Sequence, residues 1–170
     1  MTMDKVKNIL KFAMRMEKNA GDFYEFYRDK ARSEETRKLF EELVKIEKQH
    51  FDVLKEKYDE LGFSEPPITI SWVVDDSFKE RDPHILADNS DLLQELNADA
   101  SDISVMRMAY LIEIDFAHFY SKASTTVETP EVKKLLCELA EWEKEHSDMF
   151  HQRYLELLDK NWRDIKMILE

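Results

Sequence analysis

The chain has 170 residues, a formal charge of −12, 36% charged residues, two Gly, four Pro and a single cysteine. This length allows one domain with a real core, and the acidic balance excludes nucleic acid as the main partner, since phosphate backbones reward clustered Lys and Arg. Cys137 alone excludes an intrachain disulfide and any CxxC-based zinc or rubredoxin-type site.

Few breakers among Glu-, Lys-, Leu- and Met-rich stretches predict an all-α chain. Met1–Leu10 lacks a basic-then-apolar leader pattern, and no stretch holds 18 consecutive apolar residues. A soluble, cytoplasmic protein without membrane contact is therefore expected.

In chain order, helical periodicity covers about 4–31. Ser33 followed by Glu34 and Glu35 is an N-cap with an acidic first turn, so a second helix is predicted to about Leu61, with Gly62 at its C-terminal cap. A third helix is predicted from Ser101-Asp102 to about Val127. Thr129-Pro130 then starts a fourth, running to about Leu158. Residues 161–170 read either as a bent extension or as a separate terminal turn. The expected organisation is one domain: hairpin 1 over about 4–61, a crossover over about 62–100, hairpin 2 over about 101–160, and a C-terminal extension.

The crossover holds three of the four prolines. Within it, Ile68–Val74 has the alternation and β-propensity of a strand, and Asp88–Leu96 reads as a short helix. Pairing of the strand with a second subunit would make the protein a homodimer or higher homo-oligomer; packing as a strap over its own bundle is the other possibility. A connection this long can travel back along the bundle, an arrangement expected to make helices 1 and 3 parallel. One long crossover between two hairpins is the ferritin-like four-helix bundle.

The hairpins repeat. A shift of 96 residues carries Glu17 onto Glu113, Glu47 onto Glu143 and His50 onto His146, together with Ala13 onto Ala109, Tyr24 onto Tyr120 and Leu43 onto Leu139. At three- and four-residue spacing, helix 1 reads Leu10, Ala13, Glu17, Ala20, Tyr24; helix 2 reads Phe40, Leu43, Glu47, His50, Leu54; helix 3 reads Met106, Ala109, Glu113, Phe116, Tyr120; helix 4 reads Leu136, Leu139, Glu143, His146, Phe150. Tyrosines aside, the same six residues are the ionisable members of these apolar stripes, so they face the core. Glu17 and Glu47 lie 15 residues either side of Arg32, as Glu113 and Glu143 do around Glu128, which sets them at one height in each hairpin.

Four carboxylates and two imidazoles buried together cost many kcal/mol if unpaired, and no Lys or Arg occupies the stripes. Two divalent cations balance four Glu with two neutral His. Oxygen-rich ligation with one imidazole per metal suits Fe or Mn better than structural Zn, although Zn can occupy such sites. The predicted metal ligands are therefore Glu17, Glu47, His50, Glu113, Glu143 and His146. Tyr24 and Tyr120, seven residues beyond Glu17 and Glu113, are candidates for supporting or electron-transfer groups, with packing in the core as the alternative. Cys137 is expected to pack as a small residue; His84 and His151 belong to the surface, and His118 is structural or exposed.

These residues carry a resemblance to the rubrerythrin branch of the ferritin-like superfamily. In hairpin 1 it rests on Ile9–Ala13, Glu17, Phe23-Tyr24, Leu39–Leu43 and Glu47-Lys48-Gln49-His50. In hairpin 2 it rests on Ala109, Glu113, Phe119-Tyr120, Pro130–Leu135 and Glu143-Lys144-Glu145-His146. The resemblance implies a pair of iron ions, with Glu47 and Glu143 bridging them and Glu17, Glu113, His50 and His146 as terminal ligands. It also implies a redox enzyme of oxidative-stress defence that reduces hydrogen peroxide or O2.

Two departures from the family pattern stand out. No four-cysteine rubredoxin-like unit is present, so electrons are expected from a separate donor such as a rubredoxin-like protein. Tyr110 and Phe116 flank Glu113 where an extra carboxylate is usual. A ferroxidase or iron-binding protein for storage or transfer is the alternative, and a metal-stabilised scaffold or sensor a third reading.

Overall fold

The computed structural model describes residues 3–31, 33–63 and 91–169. Every regular element among them is helical: α1 (Met3–Arg28), α2 (Glu34–Glu60), α3 (Asp91–Thr126) and α4 (Pro130–Leu169). None is long and apolar enough to cross a membrane.

The helix ends follow local chemistry. Ser33 has extended backbone (φ −83°, ψ 136°), and its hydroxyl accepts the Thr36 N–H at 3.0 Å, capping α2. Gly62 sits at φ 74°, a conformation that a Cβ disfavours, so the chain can leave α2 abruptly. Pro130 opens α4, with the Lys133 N–H bonding the Thr129 carbonyl at 2.9 Å.

Two helix boundaries differ from expectation. α3 begins at Asp91, ten residues before Ser101. Leu92, Leu93, Gln94, Glu95 and Ala98 are good helix formers that continue into the predicted helix, so from Asp91 onward the expected separate short helix is the first part of α3. Asp102 is no cap of its own helix. It is buried, and its carboxylate accepts the Ser33 N–H at 3.3 Å, tying α3 to the first turn between helices. At the other end α4 continues to Leu169 as one helix, with no break at Asn161, because neither Gly nor Pro interrupts it. The strand expected at 68–74 lies outside the described residues.

α1 packs against α2 and α3 against α4 as antiparallel hairpins. The relation between hairpins corrects the expected parallel pairing of helices 1 and 3. Phe12 meets Phe119 with ring centroids 5.1 Å apart, whereas Tyr24, further along α1, reaches back to Glu113. Partners on α3 descend as α1 ascends, so the two run antiparallel. The physical reason lies in the described helices: α3 runs in the direction of α2, and α1 opposes α2 as its hairpin partner. Contacts of His50 with Trp142 and of Glu35 with Arg153 show α2 and α4 antiparallel in the same way.

The core forms two apolar clusters, one at each end of the bundle. One gathers Val6, Leu10, Leu54, Tyr58, Ala123, Val127, Leu136 and Leu139. The other gathers Ala20, Phe40, Leu43, Met106, Ala109, Phe150 and Leu157. Each fully buried Leu or Phe contributes about 1.5–3 kcal/mol by leaving water. Surface ion pairs such as Lys18–Asp22 and Lys45–Glu41 are exposed one-turn contacts and contribute little. Between the two apolar clusters lies a polar layer.

Candidate metal centre

Each helix supplies the polar layer from its buried stripe. Glu17 comes from α1, Glu47 and His50 from α2, Glu113 from α3, and Glu143 and His146 from α4. All four carboxylates are 0% exposed and His50 is 5% exposed, while the His146 side chain retains 15%. The structure thus brings together all six residues picked out by the stripes. Within a helix, the three-residue step from Glu to His keeps both side chains on one face.

The six residues form two overlapping groups whose ligand atoms lie within 4.8 Å of one another: Glu17, Glu47, His50 and Glu143, and Glu47, Glu113, Glu143 and His146. Glu47 and Glu143 belong to both. Glu143 presents one oxygen to each imidazole, with Oε1 3.0 Å from His50 Nδ1 and Oε2 3.1 Å from His146 Nδ1. His50 Nδ1 is also 3.4 Å from Glu17 Oε2 and 3.6 Å from Glu47 Oε2, and His146 Nδ1 is 3.6 Å from Glu113 Oε2.

The two tyrosines complete a cross-braced frame. Tyr24 of α1 donates its hydroxyl to Glu113 Oε1 of α3, and Tyr120 of α3 donates to Glu17 Oε1 of α1. Each brace fixes one oxygen of a carboxylate and leaves its Oε2 turned to the cluster. Tyr24 is itself packed between Phe40 and Phe150, at 5.7 Å from each ring.

The family model of rubrerythrin matches residues 8–154, spanning all four helices. The chain belongs to the rubrerythrin family. No match is found among curated proteins or among solved structures.

Whether this rubrerythrin-family cluster fits metal ions is decided by its unsatisfied atoms. Among the described residues, seven buried side-chain polar atoms lack a hydrogen-bond partner. Six belong to the cluster: Glu17 Oε2, both oxygens of Glu47, His50 Nδ1, Glu113 Oε2 and Glu143 Oε1. His50 Nδ1 and Glu143 Oε1 are only 3.0 Å apart yet are misaligned for a hydrogen bond. Such crowding without bonding is what ligands of a shared cation show: with metal–ligand distances of about 2.0–2.2 Å, adjacent donors stand about 3 Å apart. The cluster fits a metal site, and its donors suit divalent ions that accept oxygen and imidazole nitrogen.

Electrostatics point the same way. Burial pushes the Glu113 carboxyl up to about 8, despite the opposing His146, and burial likewise raises Glu47 well above the usual carboxylate range. Burial would lower both imidazoles, but their carboxylate neighbours win, raising His50 to about 12 and His146 to about 9. Glu143 resists burial because both imidazoles hold it down, to about 2. Tyr24 and Tyr120 are raised by burial and then by the charges of Glu113 and Glu17, so their hydroxyls remain donors. With protons as the only cations to hand, the cluster retains protons on its imidazoles and on part of its carboxylates. Divalent metal bound at the cluster would replace them.

Residues outside the cluster fall into place around it. Tyr110 and Phe116, which flank Glu113, are half-buried; Tyr110 stacks on His151 at 4.8 Å and Phe116 packs against both apolar clusters. His118 and His151 are exposed, and His84 lies outside the described residues. Cys137 is exposed rather than packed, because it falls beside the α4 stripe and on its solvent side. The stripes missed Trp142, whose ring stacks on His50 at 5.3 Å. Its position four residues before His146, on the same side of α4, is the signal that could have flagged it.

Proposed function

We propose that this rubrerythrin-family protein is a di-iron oxidoreductase that reduces hydrogen peroxide or O2 with electrons from a separate donor protein. The observation that carries the reading is the pair of overlapping ligand groups joined by Glu47 and Glu143, sealed between two apolar clusters. Glu17, Glu47, His50 and Glu143 would hold one metal, and Glu47, Glu113, Glu143 and His146 the other. When bound, the metal pair supplies two electrons and a Lewis-acidic hold on both oxygens of the oxidant.

The chain's own residues do the rest. Glu47 and Glu143 span the two positions, and His50 and His146 offer Nδ1 from one side. Tyr24 and Tyr120 keep the terminal carboxylates single-ended and hold a proton at Oη beside each. Reducing one peroxide to two waters takes two electrons and two protons, so proton-bearing groups beside the ligands matter. Phe40 and Phe150, buried behind Tyr24, exclude bulk water from that side.

The test is anaerobic loading with Fe(II), followed by mixing with H2O2 and with O2 in parallel. An Fe(III) ligand-to-metal absorption band forming within one rapid phase, with two electrons consumed per peroxide, is expected. A loaded protein that both oxidants leave unchanged would refute the proposal. The charge of −12 favours iron uptake as a second reading. Catalytic oxidation of Fe(II) supplied well beyond the site's capacity would select that ferroxidase function instead.

A further inference from the structure

A buried metal pair that reacts with a small oxidant must be reduced again from outside, and apart from His146, whose side chain retains 15% exposure, the rings next to it offer few routes. Tyr24, Tyr120, Phe40 and Phe150 are all buried and end inside the bundle. Trp142 differs. It is 40% exposed on α4, yet its indole stacks on His50 of the other hairpin, with centroids 5.3 Å apart and planes at 10°. His50 in turn stacks on His146 at 5.6 Å and 19°. A continuous pile of three rings therefore runs from solvent to the two imidazoles of the cluster.

We propose that Trp142 is the residue through which a one-electron donor protein reduces the metal pair, acting by way of His50. The assignment rests on the redox reading above. Val53 of α2 and Met149 of α4, each one turn from a cluster histidine, are 36% and 37% exposed and add apolar surface on the two helices that carry the ring pile.

Electrons balance in two encounters. Each oxidises the donor by one electron, and together they return di-iron(III) to di-iron(II). No bond or proton crosses Trp142, whose indole supplies electronic contact without being oxidised itself. A merely structural Trp142 would hold His50 in place and affect every reaction of the centre alike.

The experiment begins with iron-loaded protein oxidised by ferricyanide, so that it does not depend on peroxide chemistry. Wild type, Trp142→Leu and Trp142→Phe are then mixed with reduced rubredoxin, a one-electron protein donor, or with dithionite, which is small enough to use other paths. Trp142→Leu is expected to slow reduction by rubredoxin about tenfold or more while changing the dithionite rate less than about twofold; Trp142→Phe, which keeps a ring, should fall between.

A second readout needs no turnover. Co(II) loading should quench tryptophan emission in the wild type, and Trp142→Phe should lose that component. Reduction of Trp142→Leu by rubredoxin at the wild-type rate, equal slowing with both reductants, or loss of metal from the variant overturns the proposal. So does a wild type that rubredoxin cannot reduce. A wild type reduced rapidly by rubredoxin but inert toward peroxide and O2 refutes the proposed function and leaves the role of Trp142 standing.

Discussion

Glu143→Gln is the most searching perturbation of the centre. The substitution keeps volume and shape but removes one negative charge, and it turns one of two histidine-facing oxygens into an NH2 donor. Those oxygens lie 3.0 Å from His50 Nδ1 and 3.1 Å from His146 Nδ1, and Glu143 is 0% exposed, so water cannot take over either role. Two divalent cations would then face three carboxylates, leaving one uncompensated buried charge. Breaking a buried charge balance of this kind costs about 3–5 kcal/mol, or two to four powers of ten in affinity at about 1.4 kcal/mol per decade.

Anaerobic Co(II) or Fe(II) titration against a competing chelator measures the change directly. Glu145→Gln, the same charge change at an exposed neighbour, should leave affinity within about twofold. A Glu143→Gln protein that binds two metals within about threefold of the wild-type affinity would refute the charge-balance reasoning.

Three further outcomes follow from the geometry. Tyr24→Phe and Tyr120→Phe each leave a buried carboxylate oxygen without its hydroxyl donor, and should each cost about 1–3 kcal/mol in urea unfolding, by similar amounts because the braces are equivalent. Gly62→Ala places a Cβ at φ 74° and should lower stability by about 1 kcal/mol, seen as a lower Tm, with metal affinity unchanged. Metal-free protein should lose stability progressively between about pH 4.5 and pH 9, from the ordinary carboxylate value up to the raised imidazole value. The folded carboxyl of Glu113 sits at about 8 and the imidazole of His146 at about 9, so both contributions are present at low pH and fade as pH rises, whereas the contribution of Glu143, at about 2, is constant there. Metal takes over the role of those protons, so the difference in Tm between loaded and metal-free protein should widen across that window; a constant difference would count against proton–metal exchange.

What the sequence by itself determined is whatever depends on separation along the chain. The three- and four-residue stripes put Glu47 and His50 on one buried face, and equal distances from the turns set Glu17 opposite Glu47. The 96-residue repeat then required the second half to do the same. Helix geometry is a local rule, so these placements needed no knowledge of the partner helix. The α3 start was misjudged by the same local reasoning, which began the helix at Ser101-Asp102 rather than at Asp91. Only when packed does Asp102 show its use, as acceptor for the Ser33 N–H across the bundle.

Tertiary structure alone decided the contacts between hairpins. The opposed course of α1 and α3 pairs Tyr24 with Glu113 and Tyr120 with Glu17, rather than with the carboxylates of their own helices. The lateral approach of α2 and α4 lays Trp142 on His50. Those pairings join residues roughly 90 to 100 positions apart on separate hairpins, where periodicity carries no information. They arise because side chains from opposed helices must fill one shared layer, and only the packed bundle determines which of them meet.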